Sequence, residues 1–318
     1  MRFFARHGTG KQRSAGIEIT RRVPRLLHIA VALLASSLAA CGSSDNSGSS
    51  IPILSDVAFG GGTFVAVGKE GKIRTSTDGQ SWTERASNVT DTLNAVVYGA
   101  GLFVVAGDRG MLLTSSDGTS WGVESIAASA SLQGVVYGNG TFVVVGYVGT
   151  IATSTDGHGW LLQASPLRTA LHAVTYGEGL FVAAGDDGRV LTSTDTTVWS
   201  SPDSGTTDTL YAVQFGAGTY VLAGGNGTLG HSGDGHSWVT RRELFPTLFD
   251  VTYAQGEFVV VGVGGAILVS SDGASFTQRD SQVSNDLRGV AFGGGTFVAV
   301  GADSIVLTSP DTETWTHQ

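Results

Sequence analysis

The chain holds one cysteine, Cys41, in 318 residues. No disulfide can form within it, so the fold must be held by noncovalent packing. Beyond the first forty residues no stretch keeps an apolar spacing of 3.6 long enough to make a helix. The apolar run from Leu26 to Ala35 is too short to span a bilayer permanently. Positive charge is scarce where it would matter. Residues 1–40 carry +6 of a whole-chain charge of −9, which leaves −15 on residues 41–318. That balance argues against nucleic acid and anionic lipid surfaces as partners, and is compatible with a basic protein or a neutral glycan.

What the chain has instead is a repeat. Trp82, Trp121, Trp160, Trp199, Trp238 and Trp315 occupy one position of it, with Phe276 filling the remaining place. Each lies four residues after an aspartate: Asp78, Asp117, Asp156, Asp195, Asp234, Asp272 and Asp311. The aspartates are 39, 39, 39, 39, 38 and 39 residues apart. Within each unit short β-branched and aromatic runs alternate with glycine-rich turns, which is a strand signal. Four strands of five or six residues fit the period. A four-stranded unit of this length is the mark of a β-propeller. The expected fold is therefore all-β: a seven-bladed β-propeller of four-stranded antiparallel blades over residues 54–318. Segments 58–68 and 291–301 both read AFGGGTFVAVG, which suits a closed ring. An open β-solenoid is the rival, but it would need atypical end repeats.

The turn between the third and fourth strands reads Ser76-Thr77-Asp78-Gly79-Gln80-Ser81-Trp82 in the first copy. It resembles the Asp-box hairpin of sialidase-type and photosystem II assembly factor-type propellers, with one residue fewer between aspartate and aromatic. Thr196 and Thr312 replace the glycine in copies four and seven. The residue types fit a structural turn motif. A short aspartate accepts hydrogen bonds from the backbone N–H groups that follow it, and the aromatic buries a large area. No loop carries the dense acidic spacing of a calcium site, so no metal is expected.

Residues 1–40 have the form of an export signal, with seven basic residues, a short apolar run and Leu38-Ala39-Ala40 before Cys41. They resemble a bacterial lipoprotein signal peptide. That resemblance implies lipidation of Cys41 and a cell-envelope location, with the lipid anchor as the only membrane contact. Gly42 after the cysteine resembles outer-membrane sorting where the cell has two membranes. The Gly/Ser-rich residues 41–53 read as a flexible tether.

Chain topology sets which turns share a face. The 1–2 and 3–4 turns are uniform, whereas the 2–3 turns vary, from Lys69-Glu70 to Tyr147-Val148 and Asp186-Asp187. The residue after each first-strand leucine is Ser55, Asn94, Gln133, His172, Tyr211, Phe249 or Arg288, never the same twice. First strands line a propeller's channel, so these side chains should ring its mouth on the variable face. Asn94, Gln133, His172, Tyr211 and Arg288 suit hydrogen bonding and stacking on a ligand. The next position is small in five copies but is Asp56 or Asp250 in copies one and six. Ring closure should set that pair beside Arg288.

No catalytic set is found. There is no sialidase arginine triad, no G-x-S-x-G elbow and no phosphate loop, and the glycine turns join strand to strand. His231 and His236 flank a turn without further ligands. No catalytic residue and no cofactor is expected. The reading is an envelope lipoprotein whose propeller binds a protein or glycan, and the resemblance implies a role in assembly or stability of an envelope complex. The alternative is an exo-acting glycoside hydrolase of sialidase-like fold. The lipidation reading predicts that Cys41→Ser moves the protein from the detergent phase to the aqueous phase of a detergent partition. Retention of the variant in the detergent phase refutes it.

Overall fold

The computed structural model describes residues 53–318. Cys41, the signal-like segment and the tether as far as residue 52 lie outside the described residues. Blade one is the meander Leu54–Gly60, Thr63–Gly68, Ile73–Ser76 and Thr83–Arg85, each strand antiparallel to the next. Six more sheets follow in chain order, and each is cut from one continuous stretch. Blade seven runs from Leu287 to His317, and among the described residues it borrows no strand from the start of the propeller.

Blade four departs from the expected four strands. Its outer strand shrinks to a single bridge, Thr192 to Ser200. In blade three the N–H of Gln163 continues that ladder to the Ile151 carbonyl at 2.9 Å. Blade four has Pro202 at the same step, and proline has no N–H to offer.

The second strand explains why the blades stack. Val65 and Val67 face blade two, packing with Ile73, Leu93, Val96 and Phe103. Phe64 and Ala66 face blade seven, packing with Val298 and Val300. A strand buried on both faces reads as a continuous apolar run rather than an alternation, which is why TFVAVG carries no polar face. The apolar residues form seven clusters, one at each seam between neighbouring blades, and each holds one member of the tryptophan series. The ring closes in the same manner. Leu54, Val57, Phe64 and Ala66 meet Ala291, Val298, Val300 and Val306, with Trp82 packed against them.

Close approach at the seams depends on a glycine at the end of the first strand in six blades, with Ala254 in its place in blade six. A Cβ on Gly60 would sit 1.9 Å from Cγ of Tyr98 in the next blade. The ring lies where a side chain would be.

The aspartate turns are reciprocal locks. Asp78 Oδ1 accepts from the N–H groups of Gln80 and Ser81, both at 2.8 Å, and from Ser76 Oγ at 2.8 Å. Ser76 Oγ in turn accepts the N–H of Gly79 at 2.9 Å. The pattern recurs at Asp117, Asp156, Asp195, Asp234, Asp272 and Asp311. The donated amides hold every one of these exposed carboxyls below the usual carboxylate range. The indole Nε1 of Trp82 closes the turn on the Gly79 carbonyl at 2.9 Å. Thr196 and Thr312 adopt the same positive φ as the glycines they replace, 66° and 65°.

Burial grades the tryptophans. Trp315 is 2% exposed, while Trp121 is only half-buried. Trp315→Ala should cost ~3–5 kcal/mol, the range for large aromatic truncations in a core. Trp121→Ala should cost clearly less. Urea unfolding of the two variants checks this, and the reverse order would contradict the seam packing described here.

Candidate binding site at the channel mouth

Each first strand carries a β-bulge, and it falls at the same place in all seven blades. In blade one Leu54 pairs with Gly68 and Asp56 with Val67, so Ser55 is left out of the ladder. The other bulged residues are Asn94, Gln133, His172, Tyr211, Phe249 and Arg288. These are the positions that vary from copy to copy. A bulge releases its residue from pairing and re-aims its side chain. All seven line one central cavity of about 690 Å³, together with the rest of the first strands. Each is half-buried, packed on its neighbours rather than standing free in solvent.

One side of the mouth is a continuous wall of planar groups. Tyr147, from the 2–3 turn of blade three, meets His172 edge-on with ring centres 6.1 Å apart. His172 meets Tyr211 at 5.3 Å, and Tyr211 meets Phe249 at 5.7 Å. The Arg288 guanidinium lies 4.8 Å above the Phe249 ring, a cation–π contact. His172 Nε2 is fixed on Asp186 Oδ1 at 2.8 Å, and Thr209 Oγ1 donates to the same oxygen at 3.2 Å. Phe249 and Tyr147 were not among the candidates read from sequence. Phe249 was in the variable series but has no polar group to attract notice, and Tyr147 belongs to a different element.

The other side is spent internally. Asn94 Nδ2 donates to Asp108 Oδ1 at 3.0 Å and to the Leu132 carbonyl at 2.9 Å. Gln133 Nε2 donates to Ser131 Oγ at 2.7 Å, and Ser131 donates to Asp108. Asn94 is thus a tie between blades two and three, not a free donor for a ligand.

The two channel carboxylates are also ties. Asp56 accepts from its own strand at Val57 N–H, 2.7 Å, and from blade two at Val96 N–H, 2.8 Å. Asp250 accepts from Val251 N–H and, across the seam, from Val290 N–H in blade seven, both at 2.8 Å. Burial pushes the Asp56 carboxyl up to about 6, against the opposing pull of the two amides. Burial, then the negative charge of Asp56, pushes Asp250 well above the usual range. Gly289 leaves room for Asp56: a Cβ there would lie 2.7 Å from Asp56 Cα. Ring closure sets both carboxylates against blade seven, at Gly289 and Val290, but no ion pair joins either to Arg288 among the described residues. The carboxylates are occupied by backbone amides, and the bulged Arg288 turns to Phe249 and to Asp286 Oδ2 at 3.3 Å.

No protein-family model matches the chain, and no curated protein matches it. Solved structures do. YCF48 bound to D1 peptide is similar with a TM-score of 0.66 at 20% identity, covering 81% of this chain and 92% of that one. YCF48 from Cyanidioschyzon merolae gives 0.64 at 18% identity, covering 81% and 95%. The WD40 propeller domain of Doa1 gives 0.64 at 15% identity, covering 83% and 95%. The chain has a β-propeller fold. At these identities the likeness carries the fold alone.

The raised carboxyls have a defined sign. Asp56 holds its proton more tightly in the folded than in the unfolded state, where its value is 3.8. Its contribution is full below about 4 and is lost as pH rises through about 6. The turn aspartates act in the opposite sense and in a separate window, losing their contribution as pH falls below about 4. Urea midpoints should therefore decline between pH 4 and 6.5. The decline should flatten in Asp56→Asn and Asp250→Asn, whatever constant offset the lost amide contact adds. A parallel slope in both variants would show that the pair does not titrate there.

Proposed function

We propose that the protein is a lipid-anchored propeller of the bacterial cell envelope that binds a partner protein at its channel mouth, assisting assembly or stability of an envelope complex. The observation that carries the binding reading is the bulge. Seven repeats keep one scaffold and vary, along with the 2–3 turns of the same face, the residue that the bulge turns into the mouth. Variation concentrated on one face of a rigid frame is how binding sites are built. The Tyr147, His172, Tyr211 and Phe249 rings supply rigid, amphipathic contact area of the kind found at protein interfaces. YCF48, which shares the fold, has been solved bound to D1 peptide. The lipobox-like Leu38-Ala39-Ala40-Cys41 supports the envelope setting.

Binding is preferred to glycoside hydrolysis on chemical grounds. Hydrolysis needs one carboxyl free to give a proton and a second free to act as base or nucleophile. Each oxygen of Asp56 and Asp250 holds a backbone amide.

The test is a pull-down from envelope extract read in parallel with a glycan array and a hydrolysis screen. The double variant Tyr211→Ala, Phe249→Ala should lose its captured partner, while Asp195→Ala, on the opposite face, should keep it. Equal capture by the double variant moves the site away from the mouth.

A further inference from the structure

The mouth site does not stop at the channel. We infer that it extends over the rim of blade three and takes an extended polypeptide segment carrying a bulky apolar side chain and, a few residues on, an acidic one. This rests on the reading of the mouth as a protein-binding site.

The apolar end is marked by the turn Tyr147–Gly149. Tyr147 is 46% exposed and Val148 is 63% exposed. The middle residue of this turn lies in the left-handed region in all seven blades. Elsewhere it is Glu70, Arg109, Asp187, Asn226, Gly264 or Asp303. Only blade three places a β-branched residue there, with φ 58°. Such a residue is a conformational outlier in that region. Blade three therefore bears backbone strain to hold an apolar side chain in water, an arrangement from which neither folding nor solubility gains. Strain retained beside a candidate site points to contact with a ligand. Tyr147 joins Val148 to the wall through its edge contact with His172.

The cationic end is at blades seven and one. Arg288 ends the wall, and its one ion-pair contact among the described residues, to Asp286, is 3.3 Å long. Exposed Lys69 lines the cavity on the adjoining blade and has no ion-pair partner among the described residues. An apolar strip running into two cations complements an apolar group followed by a carboxylate. A neutral sugar would instead draw on the amide side of the mouth, where Asn94 is already committed to Asp108 and Leu132.

Fluorescence anisotropy on the full-length protein tests this with four capped, labelled octapeptides. They differ only in tryptophan or alanine at one position and glutamate or glutamine three residues later. The tryptophan–glutamate peptide should bind, and either replacement should weaken it about tenfold. Val148→Asn relieves the backbone, so it should raise the melting temperature and weaken the tryptophan peptides several-fold; Val148→Gly is the second form of the same change. Arg288→Gln combined with Lys69→Gln should abolish the preference for glutamate over glutamine. Full affinity in both Val148 variants removes the rim from the site. A glutamate preference that survives loss of both cations overturns the acidic end. If no octapeptide binds but envelope capture still depends on Tyr211 and Phe249, the ligand class is wrong and the mouth stands. If that dependence is also absent, the mouth reading itself falls.

Discussion

The structure depends on one constraint: the second strand of every blade is apolar on both faces. A single blade with Val65 and Val67 on one side and Phe64 and Ala66 on the other cannot be stable in water, because either face left open exposes a row of large side chains. Each sheet needs a neighbour on each side, and only a closed ring gives every sheet two. The seam aromatics, the first-strand glycine that receives the next blade's ring, and the small residues lining the channel all serve that packing. With no disulfide available, seam burial carries the fold.

The two faces of the ring divide the work. On one, serine, aspartate and aromatic lock each turn in nearly the same way seven times, and the geometry leaves no room to vary. On the other, the bulge frees one residue per blade from the ladder. Polar groups near the mouth are also divided. Asn94, Asp56 and Asp250 tie neighbouring blades together, whereas Tyr211, Phe249 and Arg288 face each other across the wall.

Much of this was legible in the residues. The 39-residue period, the aspartate-to-aromatic spacing and the apolar runs specify strands, turns and seven blades, because each is a local pattern repeated in register. The position after Leu54, Leu93 and their equivalents was visible as variation, but not its cause, since a bulge is a property of pairing between strands. The fates of Asn94 and Arg288 were hidden for a related reason. Asn94 is tied to Leu132 of the next blade and Arg288 is laid on Phe249 of the preceding one, contacts that exist only once neighbouring blades have packed. Pro202 was a readable signal for the missing outer strand of blade four. Its effect on one N–H is local chemistry.

The way the ring closes has a consequence for how such a molecule can change over time. No sheet combines strands from the two ends of the chain, so the seam between blades seven and one is made like every other. Topologically the propeller is a line of sheets bent until its first and last blades meet. Cutting any linker and joining the original ends would leave the same seven sheets, with no half-blade to repair. Gain or loss of one 39-residue unit would likewise require no rewiring of its neighbours, only a slightly different angle at each seam. The copies are exchangeable parts, and the mouth can be re-equipped one blade at a time.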